Sequence, residues 1–130
     1  MTCGPATPRD LAAMADEVLA RCDVLAAETE VPGELTRTFL SPPMKRVIDH
    51  VADWMRRAGL VVRLDEAANL IGRRDSAERD APAIVIGSHL DTVPDAGRYD
   101  GILGVLLGVA AAQALEGQRL PFALEVVGFS

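Results

Sequence analysis

The residues best suited to chemistry gather in one stretch, Gly87-Ser88-His89-Leu90-Asp91-Thr92-Val93, continued by Arg98-Tyr99-Asp100-Gly101. A neutral imidazole nitrogen of His89 can bind a divalent metal, and an aspartate two residues further along extended chain points the same way. Asp91 is then placed to accept the other ring N–H and fix the tautomer. Asp100 closes the loop before Gly101, where a carboxylate can lie between two cations and a glycine permits close backbone approach. Each residue also has a plainer use. Asp100 can simply cap the next helix, and His89 can be a hydrogen-bonded core histidine; the residues by themselves leave these readings level. Arg98 offers a planar fork to a substrate carboxylate, against the ordinary role of a solvated loop arginine.

These side chains need a strand before them and a helix after them, and the patterning supplies both. Residues 83–87 form a short continuous apolar run of the kind found in buried parallel strands. Residues 101–115 read as an apolar helix closing near Gly117, and 122–129 as another buried strand. That is a βαβ unit, whose loops at the carboxyl ends of the strands form the usual ligand edge of an open α/β sheet. Upstream, 60–64 and 69–73 predict a strand hairpin. Ahead of these lie two helices. The first opens at Thr7-Pro8 and repeats Leu11, Ala15, Val18, Cys22 and Leu25; the second opens at Ser41-Pro42 and carries Met44, Val47, Ile48, Val51, Trp54, Met55 and Ala58 before a stop at Gly59. His50, beside that face, reads as an edge or surface histidine. Gly101, Gly104 and Gly108 fall within the third helix, so they read as packing positions rather than as a phosphate-binding turn. The fold class expected is α/β: two N-terminal helices, then a mixed sheet with a parallel βαβ unit.

Composition narrows the partners. The chain has 130 residues, 49% of them hydrophobic, and a net charge of −6 without a Lys/Arg block, which argues for a folded core and against nucleic acid. No stretch is long and apolar enough for a membrane span, and the N-terminus lacks a signal-peptide pattern, so a cytoplasmic location is expected. Cys3 and Cys22 lack metal or redox spacing; Cys22 falls on an apolar helix face, as a small buried hydrophobe does.

The stretch GSHLDTVPDAGRYDGILGVLLGVAAAQAL resembles the metal-binding segment of the aminoacylase and glutamate carboxypeptidase family of dinuclear zinc hydrolases. The short interval from His89 to Asp100 is closest to the branch of allantoate amidohydrolases and N-carbamoyl-L-amino-acid hydrolases. Thr36-Arg37, Ser41-Pro42, Gly59-Leu60, Asp65-Glu66 and Asn69-Leu70-Ile71-Gly72-Arg73 extend the similarity over roughly residues 33 to 130. The resemblance implies His89 as a terminal metal ligand, Asp100 as the carboxylate bridging two ions (Zn, Mn or Co), and Asp91 as the catalytic-site carboxylate that orients His89.

By the same resemblance the activity is hydrolysis of a linear amide or ureido C–N bond in a small-molecule substrate, and full-length members are homodimers. Two departures stand out. Ala96 replaces the first glycine of a Gly-Gly pair, and the family's glutamate pair, expected just after Val126-Val127-Gly128-Phe129, lies beyond Ser130. The expectation is therefore an incomplete N-terminal part of a zinc-peptidase-like catalytic domain over 1–130, binding metal weakly and inactive alone. The alternatives are a non-enzymatic remnant or association partner, with the strand from Phe122 exposed at an edge, and an aminoacylase or peptidase of the same family.

Overall fold

The second helix shows how local sequence sets the architecture. In a computed structural model, which describes residues 8–130, it runs Pro42–Arg57 (α2, after α1 at Pro8–Ala26). The Ser41 hydroxyl accepts from the Met44 N–H at 3.3 Å, and the prolines at the first two helical positions lack N–H groups that would have no partner there. At the other end Gly59 adopts φ 81°, the Leu60 N–H reaches the Met55 carbonyl (3.1 Å) and the Gly59 N–H reaches that of Arg56 (3.0 Å). This is a Schellman stop, which only a residue comfortable at positive φ completes cheaply. Met44, Val47, Val51 and Met55 are buried along the expected face. His50 is an exposed edge residue stacked on Trp54.

The first helix follows the predicted face only in part. Val18, Cys22 and Leu25 are buried, but Leu11 and Ala15 are exposed, because only the C-terminal half of α1 meets the core. Helical periodicity marks a face without showing how much of it finds a partner. Burial and the neighbouring Asp23 push the Cys22 thiol upward, which keeps it protonated and inert. Thr7 and Cys3 lie outside the described residues.

The four strands are β1 (Val61–Leu64), β2 (Leu70–Arg74), β3 (Ala83–His89) and β4 (Ala123–Phe129), in the order β1-β2-β4-β3. Pairing is antiparallel for β1 with β2 and for β2 with β4, and parallel for β3 with β4. The hairpin and the βαβ unit both form as expected. The Asp65 carboxylate ties the hairpin turn by accepting from Asn69 and Ala67, and these bonds, those of Asn69 foremost, hold its carboxyl below the ordinary value.

Two expectations about burial are corrected. β3 is an edge strand, with Ile84 46% and Val85 55% exposed. β4 is interior, flanked by β2 and β3, so the strand after Phe122 has no free edge. An apolar run reports that a segment packs, but edge or centre depends on which strands flank it in space.

The crossover helix α3 (Ile102–Ala114) seats on the sheet through its glycines. A Cβ at Gly104 would lie 2.8 Å from Ser88 Cβ, and one at Gly108 2.9 Å from Val126 Cγ1, closer than real contacts come. Gly104 and Gly108 are packing positions, as their place within the helix predicts, whereas Gly101, expected inside the helix with them, lies just outside it as the N-cap residue at φ 73°.

Candidate metal site

β3 and β4 end together, with His89 paired to Phe129, and the Leu90 N–H extends the ladder one step by donating to the Phe129 carbonyl at 2.8 Å. Leu90 is fully buried, and its side chain occupies the room that a Cβ on Gly128 would take (2.8 Å to Leu90 Cδ1). Anchoring Leu90 in the core leaves its two neighbours, His89 and Asp91, on the accessible side.

His89 Nδ1 lies 2.8 Å from the Asp91 carbonyl oxygen and 3.2 Å from Asp91 Oδ1. Both of these oxygens accept, so Nδ1 carries the proton; in the neutral ring the lone pair is then on Nε2. That nitrogen faces Asp100, with Nε2 to Oδ1 at 3.7 Å. The separation is too long for a hydrogen bond. Two donors at about 2.0–2.2 Å from one ion, at a near-tetrahedral angle, stand roughly 3.4 Å apart. All three side chains are partly exposed.

Asp100 owes its position to Gly101, which has φ 73° and ψ −55°, while the Ile102 N–H donates to the Asp100 carbonyl at 2.9 Å. This is a γ-turn of the strained, positive-φ kind. It folds the loop back so closely that a Cβ on Gly101 would lie 2.4 Å from His89 Cε1. Gly101 is also the N-cap residue of α3, and no side-chain hydrogen bond caps the helix, so Asp100 is not its cap.

The loop rests on residues 35–37. Thr92 N–H donates to the Arg37 carbonyl (2.8 Å), Ala96 N–H to that of Leu35 (2.8 Å), and Asp95 N–H to Thr36 Oγ1 (3.0 Å). Ala96 keeps a negative φ, so alanine fits where the resemblance leads one to expect glycine. Arg37 is fully buried, which pushes its guanidinium down from its ordinary value against the pull of Glu28 and Asp91.

Arg98 is not brought to the three residues; its guanidinium bonds Asp23 of α1 at 2.6 Å, lies over the Tyr99 ring, and is raised in pKa by Asp23. In this structure the side chain ties the loop to α1.

Among the described residues no three His, Cys, Asp or Glu side chains converge to hold an ion, but an imidazole nitrogen and a carboxylate oxygen, both donor types that zinc takes, face one another. They fit part of a coordination sphere. A second pair, His50 Nε2 and Glu28 Oε1 at 3.8 Å, has similar spacing, yet Arg46 already occupies the Glu28 carboxylate. A groove of about 360 Å³ lined by Phe39, Leu40, Met44, Ile48, Leu64 and Ser130 contains none of the three residues. The γ-turn at Gly101 and the buried Arg37 went unread in the sequence. The glycine's proximity to Asp100 was the visible signal for the first, whereas a lone arginine gives no sign of burial.

No family model matches the sequence. The chain is 42% identical over 119 residues to allantoate deiminase 1 of Glycine max, covering 88% of this chain and 25% of that protein. It is 43% identical over 100 residues to an N-carbamoyl-L-amino acid amidohydrolase of Geobacillus stearothermophilus, covering 75% of this chain and 24% of that one. Among solved structures, a hydantoinase/carbamoylase family amidase from Burkholderia ambifaria superposes with a TM-score of 0.80 at 36% identity, over 87% of this chain and 28% of the amidase. The chain thus spans about a quarter of the length of the curated relatives it matches. No helix among the described residues is long and apolar enough to cross a membrane.

Proposed function

Since this chain is related by sequence to a quarter-length segment of allantoate deiminases and N-carbamoyl-L-amino-acid amidohydrolases, and shares its fold with a hydantoinase/carbamoylase family amidase, we propose that it contributes His89, Asp91 and Asp100 to a divalent-metal site hydrolysing ureido or carbamoyl C–N bonds of small linear substrates. The observation that carries this reading is the facing of His89 Nε2 and Asp100 Oδ1 at the carboxyl edge of the parallel strands, with Nδ1 held by Asp91.

The chain's own residues have separate tasks. Asp91 holds the proton on Nδ1 and sets the plane of the ring, which leaves Nε2 as a donor. Asp100 brings two carboxylate oxygens, of which Oδ1 faces His89 Nε2, and would supply the negative charge that offsets a dication there. Two divalent ions, when bound, would supply Lewis acidity toward the scissile carbonyl and lower the pKa of water. A catalytic zinc takes three protein ligands, so these residues hold a metal weakly unless donors from elsewhere in the protein complete the set.

The test is ammonia release from allantoate and from N-carbamoyl-L-amino acids by the protein, assayed with Zn²⁺, Mn²⁺ or Co²⁺ and after chelation. Metal-dependent turnover that disappears in His89→Ala is expected where donors from elsewhere in the protein complete the site, and little or none from residues 1–130 alone. Turnover of N-acyl amino acids or dipeptides in place of the ureido compounds would contradict the substrate class, and activity unaffected by chelation would contradict the metal site.

A further inference from the structure

Arg37 is fully buried, and its side chain reaches three carbonyl oxygens on two separate parts of the chain. Nε donates to Leu90 O at 3.1 Å, and Nη1 divides between Leu25 O (2.9 Å) and Glu28 O (2.8 Å) at the end of α1. Its backbone adds two bonds to Thr92, the Arg37 N–H donating to Thr92 Oγ1 and the Thr92 N–H donating to the Arg37 carbonyl, both at 2.8 Å. Among the described residues Nη2 has no hydrogen-bond partner.

Stability alone explains this arrangement poorly. Burying a cation costs several kcal/mol, of the order that apolar replacement commonly recovers, and an unpaired N–H group adds to the cost. What the guanidinium secures is geometry. Leu90 lies between His89 and Asp91; its N–H is held by Phe129 O and its carbonyl by Arg37. With both peptide planes of Leu90 fixed, the following carbonyl, that of Asp91, is presented to His89 Nδ1.

We propose that Arg37 is a positioning residue for the metal-binding arm, acting through Leu90 to set the tautomer and direction of His89. It touches neither His89 nor Asp100, and the proposal rests on the reading of His89 as a metal ligand.

The test compares the wild type with Arg37→Met and Arg37→Lys in three measurements: thermal melting, zinc affinity by chelator competition, and the His89 tautomer from long-range ¹H–¹⁵N correlation at a pH where the ring is neutral. His50→Gln assigns the signals, since the chain has 2 histidines. Wild type should show the Nδ1–H form. Arg37→Met should show a mixture of tautomers and a loss of zinc affinity of about 10–100-fold, as for other residues that orient a ligand. Arg37→Lys, which keeps the charge but reaches fewer of the carbonyls, should fall between them and reports the effect if the methionine variant does not fold. Variants that melt lower but keep the wild-type tautomer and affinity would overturn the proposal and leave Arg37 a purely structural residue. A tautomer that shifts in a protein with no zinc affinity even as wild type would uphold the positioning and reject the metal reading on which it was built.

Discussion

Gly101→Ala is expected to weaken zinc binding by at least the roughly 10–100-fold that follows loss of a ligand's supporting geometry, and to lower thermal stability as well. Two independent costs meet at this residue. The backbone is at φ 73°, ψ −55°, where an L side chain is strained by about 1–3 kcal/mol. The added Cβ would also stand 2.4 Å from His89 Cε1 and 2.6 Å from Nε2, so the ring has to leave its place between Asp91 and Asp100 or the turn has to open. Either movement separates Nε2 from the Asp100 carboxylate. The control is Gly97→Ala in the same loop, where a Cβ meets nothing within 4 Å and φ is not positive; both properties should stay at wild-type values. A Gly101→Ala protein that binds zinc like the wild type would show that the spacing of His89 and Asp100 is incidental.

Substitution of the three candidate residues should produce a graded order of zinc affinity. His89→Ala removes the one imidazole donor at the site and should abolish measurable binding. Asp100→Asn keeps the volume but gives up the negative charge that offsets a dication, and should come close to the same result. Asp91→Ala leaves both donors in place and removes the carboxylate 3.2 Å from Nδ1, while the backbone carbonyl at 2.8 Å remains, so its loss should stay within about 10–100-fold. Asp49→Ala, which removes an exposed carboxylate paired with Lys45, serves as the charge control and should leave affinity unchanged. Equal losses in Asp91→Ala, Asp100→Asn and Asp49→Ala, each of which removes one negative charge, would reduce the effect to net charge and contradict a specific site.

The legibility of this fold in sequence follows how local each cause is. α2 was readable from end to end because its cap, its prolines, its apolar face and its glycine stop all act within a few residues. The hairpin and the βαβ unit were readable for the same reason, and Gly104 and Gly108 were recognised as packing positions from their place inside a helix, though Gly101 was grouped with them wrongly. What the sequence did not carry was the order of strands. β3 and β4 have similar apolar patterns, yet one lies at an edge and the other between neighbours, a difference made by the β2–β4 pairing across some fifty residues. Leu11 and Ala15 failed similarly, since nothing local says where the partner of α1 ends.

At the site, His89, Asp91 and Asp100 were visible as residue types at suggestive intervals, and the structure sets a carboxylate oxygen of Asp91 3.2 Å from one ring nitrogen of His89 and one of Asp100 3.7 Å from the other. The supporting parts were not visible. Arg37 is distant in sequence from the arm it holds, and Arg98, adjacent to Tyr99 and Asp100, turned out to bond α1. Sequence proximity to a site is a weak guide to membership when the loop has two faces.

The most direct test of a metal-binding function at this edge is anomalous scattering at the zinc absorption edge from crystals of the protein grown with Zn²⁺. The expected result is a peak between His89 Nε2 and the Asp100 carboxylate, at the roughly 2.0–2.2 Å that zinc keeps from nitrogen and oxygen ligands. A peak at the similarly spaced His50 and Glu28 pair with none at His89, or no ordered zinc at all, would contradict the account.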